Sequence, residues 1–534
     1  MTNAAALAVI VAFVAIGASV ADPCDPTVPG MQLLDCPMTT IDGTAGMINL
    51  YLKPYTFHTY GATFVTRAYA GPNGAPSIPG PVIRIKQNKK VELTLYNMLG
   101  DQQTSEAQGA MNGLFESNTT NLHTHGLHVS GEQPADNVAV RIPPGYMYKY
   151  TYKLGPHGAG MFFYHPHAHG SVSIQLGGGA FGMLIVDDEE DNSPLGFLST
   201  LPEILVSIYG FGPLAMETYS QNTVDGQAGK EIWQQQSGNL VNWLYIVNGL
   251  YRPTITLNAG QWYRLRLQYS AIEQPMQAKL AGCQMTLLAL DGVYLNAPRT
   301  ATSVRLLQAS RADIAVMCPA GGPYQFIDTT GATVFAIEIG ASKLKGPTAL
   351  GQWNLPMRQP YLVDTMDLQP EQLANTTFAF VMTTNPDTTL SGKMFQGFNR
   401  SSALHLMLPN TVEEWTMDIS AHPLHIHLSP FQLQEDTSDG NYKKGDWLDT
   451  YLGPAIKVRS RIGNFNGAVV LHCHISPHAD NGVAGILWID GMSTAAPQSP
   501  VPIPKGNRNS VPALGFLPVL IAVVACVQAF LLVA

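Results

Sequence analysis

The stretch Val469-Val-Leu-His-Cys-His-Ile-Ser-Pro-His-Ala-Asp-Asn-Gly-Val483 holds three histidines and a cysteine within seven residues, His472 to His478. The apolar run Val469–Leu471 leads in, and a second, Val483–Ile489, leads out. On a strand, successive side chains alternate between faces. His472 and His474 then project to one side and the Cys473 sulfur to the other. One strand can thus feed two metal centres joined by a few covalent bonds. A thiolate with two imidazoles and a weak or absent axial group is a copper donor set.

The other histidines say what that strand serves. The chain has 15, and none lies between Gly170 and Leu404. A metal site built between the first and last parts of the chain produces this gap; scattered histidines rarely would. Asn121-Leu-His-Thr-His-Gly126 places His123 and His125 on one strand face. Tyr164-His-Pro-His-Ala-His-Gly170 does the same for His165, His167 and His169. In Ala421-His-Pro-Leu-His-Ile-His427, His425 and His427 share parity and His422 does not. One His-x-His is weak evidence; four clusters, two towards each end, are strong. Two histidines from each segment make eight imidazoles, enough for three coppers. His422, Cys473 and His478 are left over for a separate thiolate site.

Between these motifs the chain reads as short strands and turns. Val82–Ile85 and Val91–Leu95 mix apolar and polar positions as half-buried strands do, and Trp262-Tyr-Arg-Leu-Arg-Leu267 alternates in the same way. Pro72–Pro76 and Ile78–Pro81 are turn chemistry, and the 50 glycines and 38 prolines suit many turns. No amphipathic helix of convincing length is apparent, which predicts an all-β chain of sandwich units. With 534 residues, about three units are expected: 22–190 with the first two histidine motifs, 200–345 with none, and 356–492 with the last two. Asp187–Pro194 and the residues around Lys343–Pro356 read as linkers.

A net charge of −9 without a basic stripe excludes a nucleic-acid surface. Residues 1–21 read as a signal peptide, with Ser19 and Ala21 at the −3 and −1 positions of its cleavage site. Residues 493–510 form a polar, Pro-containing spacer ahead of a hydrophobic tail, 511–534, free of charge. That tail is either a GPI-attachment signal or a C-terminal membrane helix. Both ends predict passage through the secretory pathway to the cell exterior or surface, with membrane attachment through the tail or a lipid. Six cysteines fit that route: Cys24 can pair with Cys36 and Cys283 with Cys318, Cys473 stays free for metal, and Cys526 lies in the tail. Asn118, Asn375 and Asn399 each begin a glycosylation sequon.

The four histidine segments, in order and spacing, resemble those of the multicopper oxidases: laccases, ascorbate oxidases and copper-dependent ferroxidases. The likeness extends over about residues 47–490 and takes in Pro79–Pro81, Val247–Gly249, Arg264–Arg266 and Asp291-Gly292. It implies three consecutive cupredoxin-like Greek-key β-sandwich domains and four coppers per chain. It places His123 and His425 on the type 2 copper, and His125, His165, His167, His427, His472 and His474 on the type 3 pair. His422, Cys473 and His478 fall on the type 1 copper. His169 and His128 lie beyond the ligand positions of their segments and are expected to be structural, as are His58, His157 and His405. The axial position, often Met in the family, is Val483, which cannot ligate and should raise the type 1 potential. Asp136 and Asp480 are the acids the resemblance offers for proton supply to the trinuclear site. The implied reaction is electron withdrawal from a reductant at the His478 side, passage through Cys473 to His472 and His474, and reduction of O2 to water.

Three functions are compatible with this set. A laccase-like oxidase of phenols or aromatic amines is favoured by Val483. A metallo-oxidase of Fe(II) or Cu(I), passing iron to a permease if a ferroxidase, is favoured by the C-terminal tail; the 20 methionines are dispersed rather than gathered in a loop. A non-catalytic copper-storage or wall protein is disfavoured, because all eleven expected ligands are present.

Overall fold

The computed structural model describes residues 22–100, 112–113, 115–187, 196–212, 243–354, 358–383, 389–493 and 497–504. The expected signal peptide, the tail with Cys526, residues 494–496 and 505–510 of the spacer and residues 188–194 of the first linker lie outside them. Among the described residues no helix is long and apolar enough to cross a membrane.

The chain is built from strands because its apolar residues recur every second position. Tyr146–Lys153 turns Tyr148, Tyr150 and Tyr152 inward and Lys149 and Lys153 outward, and Lys90–Asn97 buries Val91, Leu93 and Leu95 in register beside it. These belong to one of two five-stranded sheets in the first unit. The other runs, in spatial order, Thr40–Asp42, Val82–Lys86, Gly182–Asp187, Gly160–His165 and His123–His125. The middle unit pairs a seven-stranded with a five-stranded sheet, and the last unit is a nine-stranded arrangement centred on Val412–Ile426.

Trp262–Ala271 departs from the expected half-buried alternation: every residue in it is buried. It lies between Glu203–Phe211 and Arg311–Met317 within the seven-stranded sheet. Its arginines tolerate burial because Arg264 and Arg266 converge on Asp313, with Arg266 also 3.6 Å from Glu203.

Both chain ends cross the expected unit boundaries. Residues 22–36, assigned to the first unit on sequence, dock on the middle one: Leu33 and Cys36 join its core, and the Thr254 N–H donates to Met31 O at 2.9 Å. Part of the spacer is also ordered. Val501–Pro502 adds an edge strand to the first unit's sheet beside Tyr146–Met147. Cys24 is bonded to Cys36 and Cys283 to Cys318, leaving Cys473 free and buried. Of the three sequon asparagines, Asn118 is the one buried by its neighbours. It is 9% exposed, and its Oδ1 accepts from Arg67 Nε and Nη2; Asn399 is exposed.

Candidate metal centres

The two histidine-bearing strands of the first unit lie side by side, with His123 opposite His165. In the last unit Val412–Ile426 pairs with Gly467–Cys473, placing His425 opposite His472 and Leu424 opposite Cys473. These four segments meet face to face. The rings of His123 and His427 stack at 3.8 Å between centroids, and those of His125 and His425 at 3.6 Å. Eight histidines, His123, His125, His165, His167, His425, His427, His472 and His474, thus form one buried cluster contributed by the first and last units.

Hydrogen bonds around the cluster select the tautomers. His123 Nδ1–H donates to Asp136 Oδ2 at 2.6 Å, and His165 Nδ1–H to Pro166 O at 2.9 Å. His425 Nδ1–H donates to Asp449 O at 2.8 Å, and His472 Nδ1–H to Cys473 O at 2.9 Å. Each outward donation leaves an Nε2 lone pair facing inward, the arrangement by which metal-binding histidines are usually oriented. The Nε2 atoms of His123, His165 and His425 are buried without a partner, as are Nδ1 of His125 and both ring nitrogens of His474. His167 Nε2 lies 3.0 Å from His472 Nε2 and 3.2 Å from His427 Nε2. Burial first, then the neighbouring rings, hold His125, His165, His167, His425, His427 and His474 well below the ordinary imidazole range. Burial pushes His472 down to about 4. A dry cluster of neutral rings with inward lone pairs is unfavourable without cations, and imidazole suits copper. The residues therefore fit a multinuclear copper site.

The second centre lies on the opposite side of the same strand. Cys473 Sγ is 3.4 Å from His422 Nδ1 and 3.8 Å from His478 Nδ1, and the two nitrogens are 2.9 Å apart. The strand ends at Cys473, so His474 follows one residue beyond it and still turns to the histidine cluster. His422 reaches the sulfur because the pairing of Val412–Ile426 shifts register between Ile419 and Leu424. Burial pushes the Cys473 thiol up to about 12, against one N–H donated by Ile475. Burial, followed by the adjacent His422, pushes His478 down to about 4. Such a sulfur becomes a thiolate only with a cation beside it, so copper uptake here must release a proton. Val483 is buried in the core that contains Cys473, and its carbonyl accepts from the Cys473 N–H at 3.0 Å. Its side chain has no donor atom.

The two expected acids are placed differently. Asp136 is against the cluster: besides His123 it accepts from Thr124 N at 2.8 Å and Thr124 Oγ1 at 3.1 Å. It also borders a cavity of about 290 Å³ with Glu132, Asn137, Trp488 and His427. Asp480 is not brought to a cluster ring. Its Oδ1 accepts from Gly170 N at 2.7 Å, and its Oδ2 from Ser173 N at 2.8 Å and Ser173 Oγ at 2.6 Å. It ties the short helix Ser476–Asp480 to the helix Val172–Gln175. The remaining histidines are engaged elsewhere: His128 with Leu428 O, His157 with Gly158 O, His169 with Asn112, His405 with Glu413 and His58 with Thr63.

Sequence reasoning missed Asp449 and Arg311. Asp449 Oδ1 is 3.2 Å from His125 Nε2, and its carbonyl holds His425, so one residue orients rings from both terminal units. Arg311, from the histidine-free middle unit, grips both Asp449 oxygens at 3.1 and 2.5 Å. A charged residue closing the apolar pair Trp447-Leu448 was the available signal for Asp449; nothing local marks Arg311. Asp291 completes the group, accepting from Arg311 N at 3.1 Å and Asp449 N at 3.2 Å. Burial first, and the Asp449 charge second, raise Asp291 from 3.8 to about 7 despite Arg311. The fold thus retains a proton that the unfolded chain releases. The associated stability is full below about pH 4 and is lost as pH rises through about 7. Asp291→Asn is expected to flatten the pH dependence of the melting temperature across that window; an unchanged slope in thermal scans would refute the assignment.

Three family models, each described as multicopper oxidase, match residues 109–191, 215–334 and 358–492. A multicopper oxidase of Staphylococcus haemolyticus is 23% identical over 438 residues, covering 78% of this chain and 83% of the relative. Among solved structures, the laccase-like multi-copper oxidase CueO of Ochrobactrum sp. superposes with a TM-score of 0.63 at 18% identity, covering 85% of this chain and all of the other. A Campylobacter jejuni multicopper oxidase described as a metallo-oxidase gives 0.63 at 18% identity, covering 88% and 97%. The structural likeness is one of fold: three consecutive cupredoxin-like β-sandwich domains.

Proposed function

The chain belongs to the multicopper oxidase family, and from that premise we propose that it is a laccase-like enzyme taking single electrons from phenols or aromatic amines. Members of the family are copper-dependent oxidoreductases with O2 as acceptor and four coppers, one type 1, one type 2 and two type 3. In this reading His422, Cys473 and His478 hold the type 1 copper and His123 and His425 the type 2. His125, His165, His167, His427, His472 and His474 hold the type 3 pair. Copper supplies one-electron acceptance at the thiolate centre and O2 reduction at the histidine cluster.

The chain's own residues do the rest. His478 is half-buried and offers a ring edge to a reductant. Cys473 and His472 are adjacent in sequence and tied again by the His472 Nδ1–H to Cys473 O bond, which gives a short path between the centres. Asp136 holds His123 in its tautomer and lines the cavity beside the cluster, where its carboxylate can pass protons inward.

The observation that carries the substrate class is the edge of the thiolate site. His422 and His478 are both half-buried, and no carboxylate of the described residues joins their cluster. A metal-ion reductant needs such oxygen ligands to dock, whereas an aromatic ring does not. Comparing kcat/KM for a phenol, Fe(II) and Cu(I) on copper-loaded protein tests this. Preference for the phenol is expected; preference for either ion replaces it with the second reading. That reading, a surface metallo-oxidase serving an iron permease if it is a ferroxidase, draws on the tail 511–534 and on the metallo-oxidase among the structural neighbours. Residues 1–21 and the tail support a secreted, surface-held enzyme. Release from cells by a phosphatidylinositol-specific phospholipase would separate a lipid anchor from a membrane helix.

Val483 bears on driving force. Val483 has no donor atom to offer a copper held by His422, Cys473 and His478, and a copper there would be expected to have a higher potential than with a methionine at this position. Val483→Met is expected to lower the type 1 potential in a redox titration while leaving copper content unchanged. An unmoved potential would show that the position does not face the metal.

A further inference from the structure

Away from both copper centres, a cavity of about 350 Å³ lies between the middle and last units. One wall is the strand Val293–Thr300, at the edge of the seven-stranded sheet; the other is the turn Lys444–Trp447. Arg358, on the segment entering the last unit, forms part of the lining.

The charges in this cavity do not balance. It contains Arg299, Arg358, Lys444 and a single carboxylate, Asp446. That carboxylate is already committed: Arg299 Nη1 and Nη2 donate to its two oxygens at 3.2 and 2.8 Å, and Lys443 N donates to Oδ2 at 2.8 Å. Arg358 is held by neutral acceptors only. Its Nη2 donates to Tyr294 O at 2.6 Å and Asn296 Oδ1 at 2.9 Å. Among the described residues no carboxylate forms an ion pair with Arg358 or with the Lys444 ammonium. The guanidinium is half-buried, and burial lowers it to about 10, with Asp364 and Tyr361 too weak to offset this. A guanidinium taken from water without a counter-charge is costly, and its planar fork matches an oxyanion.

We propose that this cavity binds a small multivalent oxyanion, with Arg358 as the principal ligand and Lys444 as the second. The two acceptors on Nη2 fix the plane of the guanidinium and leave Nε and Nη1 for the ligand. Asn296 belongs to the middle unit and Lys444 to the last, so the bound anion braces the boundary between them. The turn that carries Lys444 continues through Trp447 and Leu448 to Asp449, which touches the histidine cluster. Neither Arg358 nor Lys444 contacts a copper-binding residue, and the site is independent of the reducing substrate.

Thermal unfolding of the copper-loaded protein, titrated with inorganic phosphate and separately with succinate against chloride at matched ionic strength, tests the proposal. A saturable rise in melting temperature with phosphate, succinate or both is expected, and which of them acts identifies a tetrahedral or a dicarboxylate ligand. Arg358→Gln should weaken that response at least tenfold and Lys444→Gln less, with the blue absorption and turnover of both variants unchanged. Equal responses to chloride and to both oxyanions, or an undiminished response in Arg358→Gln, would overturn it. If Arg358→Gln fails to fold, calorimetric titration of Lys444→Gln decides in its place: weakened binding supports the site, and wild-type affinity counts against it.

Discussion

Cys473→Ser is expected to lose the blue absorption and to turn over no faster than copper-free protein, while the histidine cluster still fills. The sulfur belongs to the only free cysteine of the described residues and completes the three-residue group with His422 and His478. Serine cannot replace it, because its hydroxyl does not ionise beside copper as a thiol does and gives no thiolate charge transfer. The eight histidines lie on the opposite face of the strand and keep their own hydrogen bonds to Asp136, Pro166 and Asp449. Metal analysis should therefore fall from about four coppers per chain to about three. Wild-type turnover in this variant would mean that electrons enter by another path. Loss of all copper would mean that the two centres assemble as one.

Arg311→Met is expected to be the most destabilising single change away from the ligands themselves. Arg311 is 1% exposed and neutralises Asp449, which is itself buried. Removing one member of a buried ion pair leaves the other uncompensated, at a cost of about 3–5 kcal/mol. Asp291 cannot substitute, being a second acid in the same place. Asp449 would turn from His125 and His425 or take up a proton, and the histidine cluster would bind copper less tightly. The thiolate centre should keep its colour, since none of its residues touches Arg311. Arg311→Lys should recover only part of the loss, because an ammonium cannot hold both carboxylate oxygens in the fork geometry. Denaturation and copper content together check this: a variant with wild-type stability and four coppers would leave the network without the role assigned to it.

The strand His-Cys-His was legible because its message is local. Alternation along an extended chain sends neighbouring side chains to opposite faces, whatever the rest of the fold does. The histidine-free middle of the chain was legible for a related reason, since a shared site between two units leaves the third without ligands. Trp262–Ala271 was misread because half-burial and full burial give similar patterns when buried arginines are paired. Their partner Asp313 lies about fifty residues away in sequence. Residues 22–36 fall in the first unit on sequence but dock on the middle one, and 501–502 read as spacer but form an edge strand, because backbone pairing carries almost no side-chain signature. Asp480 follows the last histidine closely enough to look catalytic, yet its carboxylate points to a helix of the first unit.

By itself the sequence located one sulfur and ten imidazoles in four motifs, with valine at 483. It also placed His123, His125, His165, His425, His472 and Cys473 on strands whose alternation sets their faces, a local property. Tertiary structure alone decided which nitrogen of each ring faces inward, that Asp136 rather than Asp480 stands at the cluster, and that Arg311 of the copper-free unit holds Asp449 in place. The Arg311–Asp449 grip and the Asp449–His125 contact join residues more than a hundred positions apart, whereas the partners that orient His123, His165, His425 and His472 lie within 24 positions of them. A buried charge must find its partner in space, and no local pattern records which one it finds.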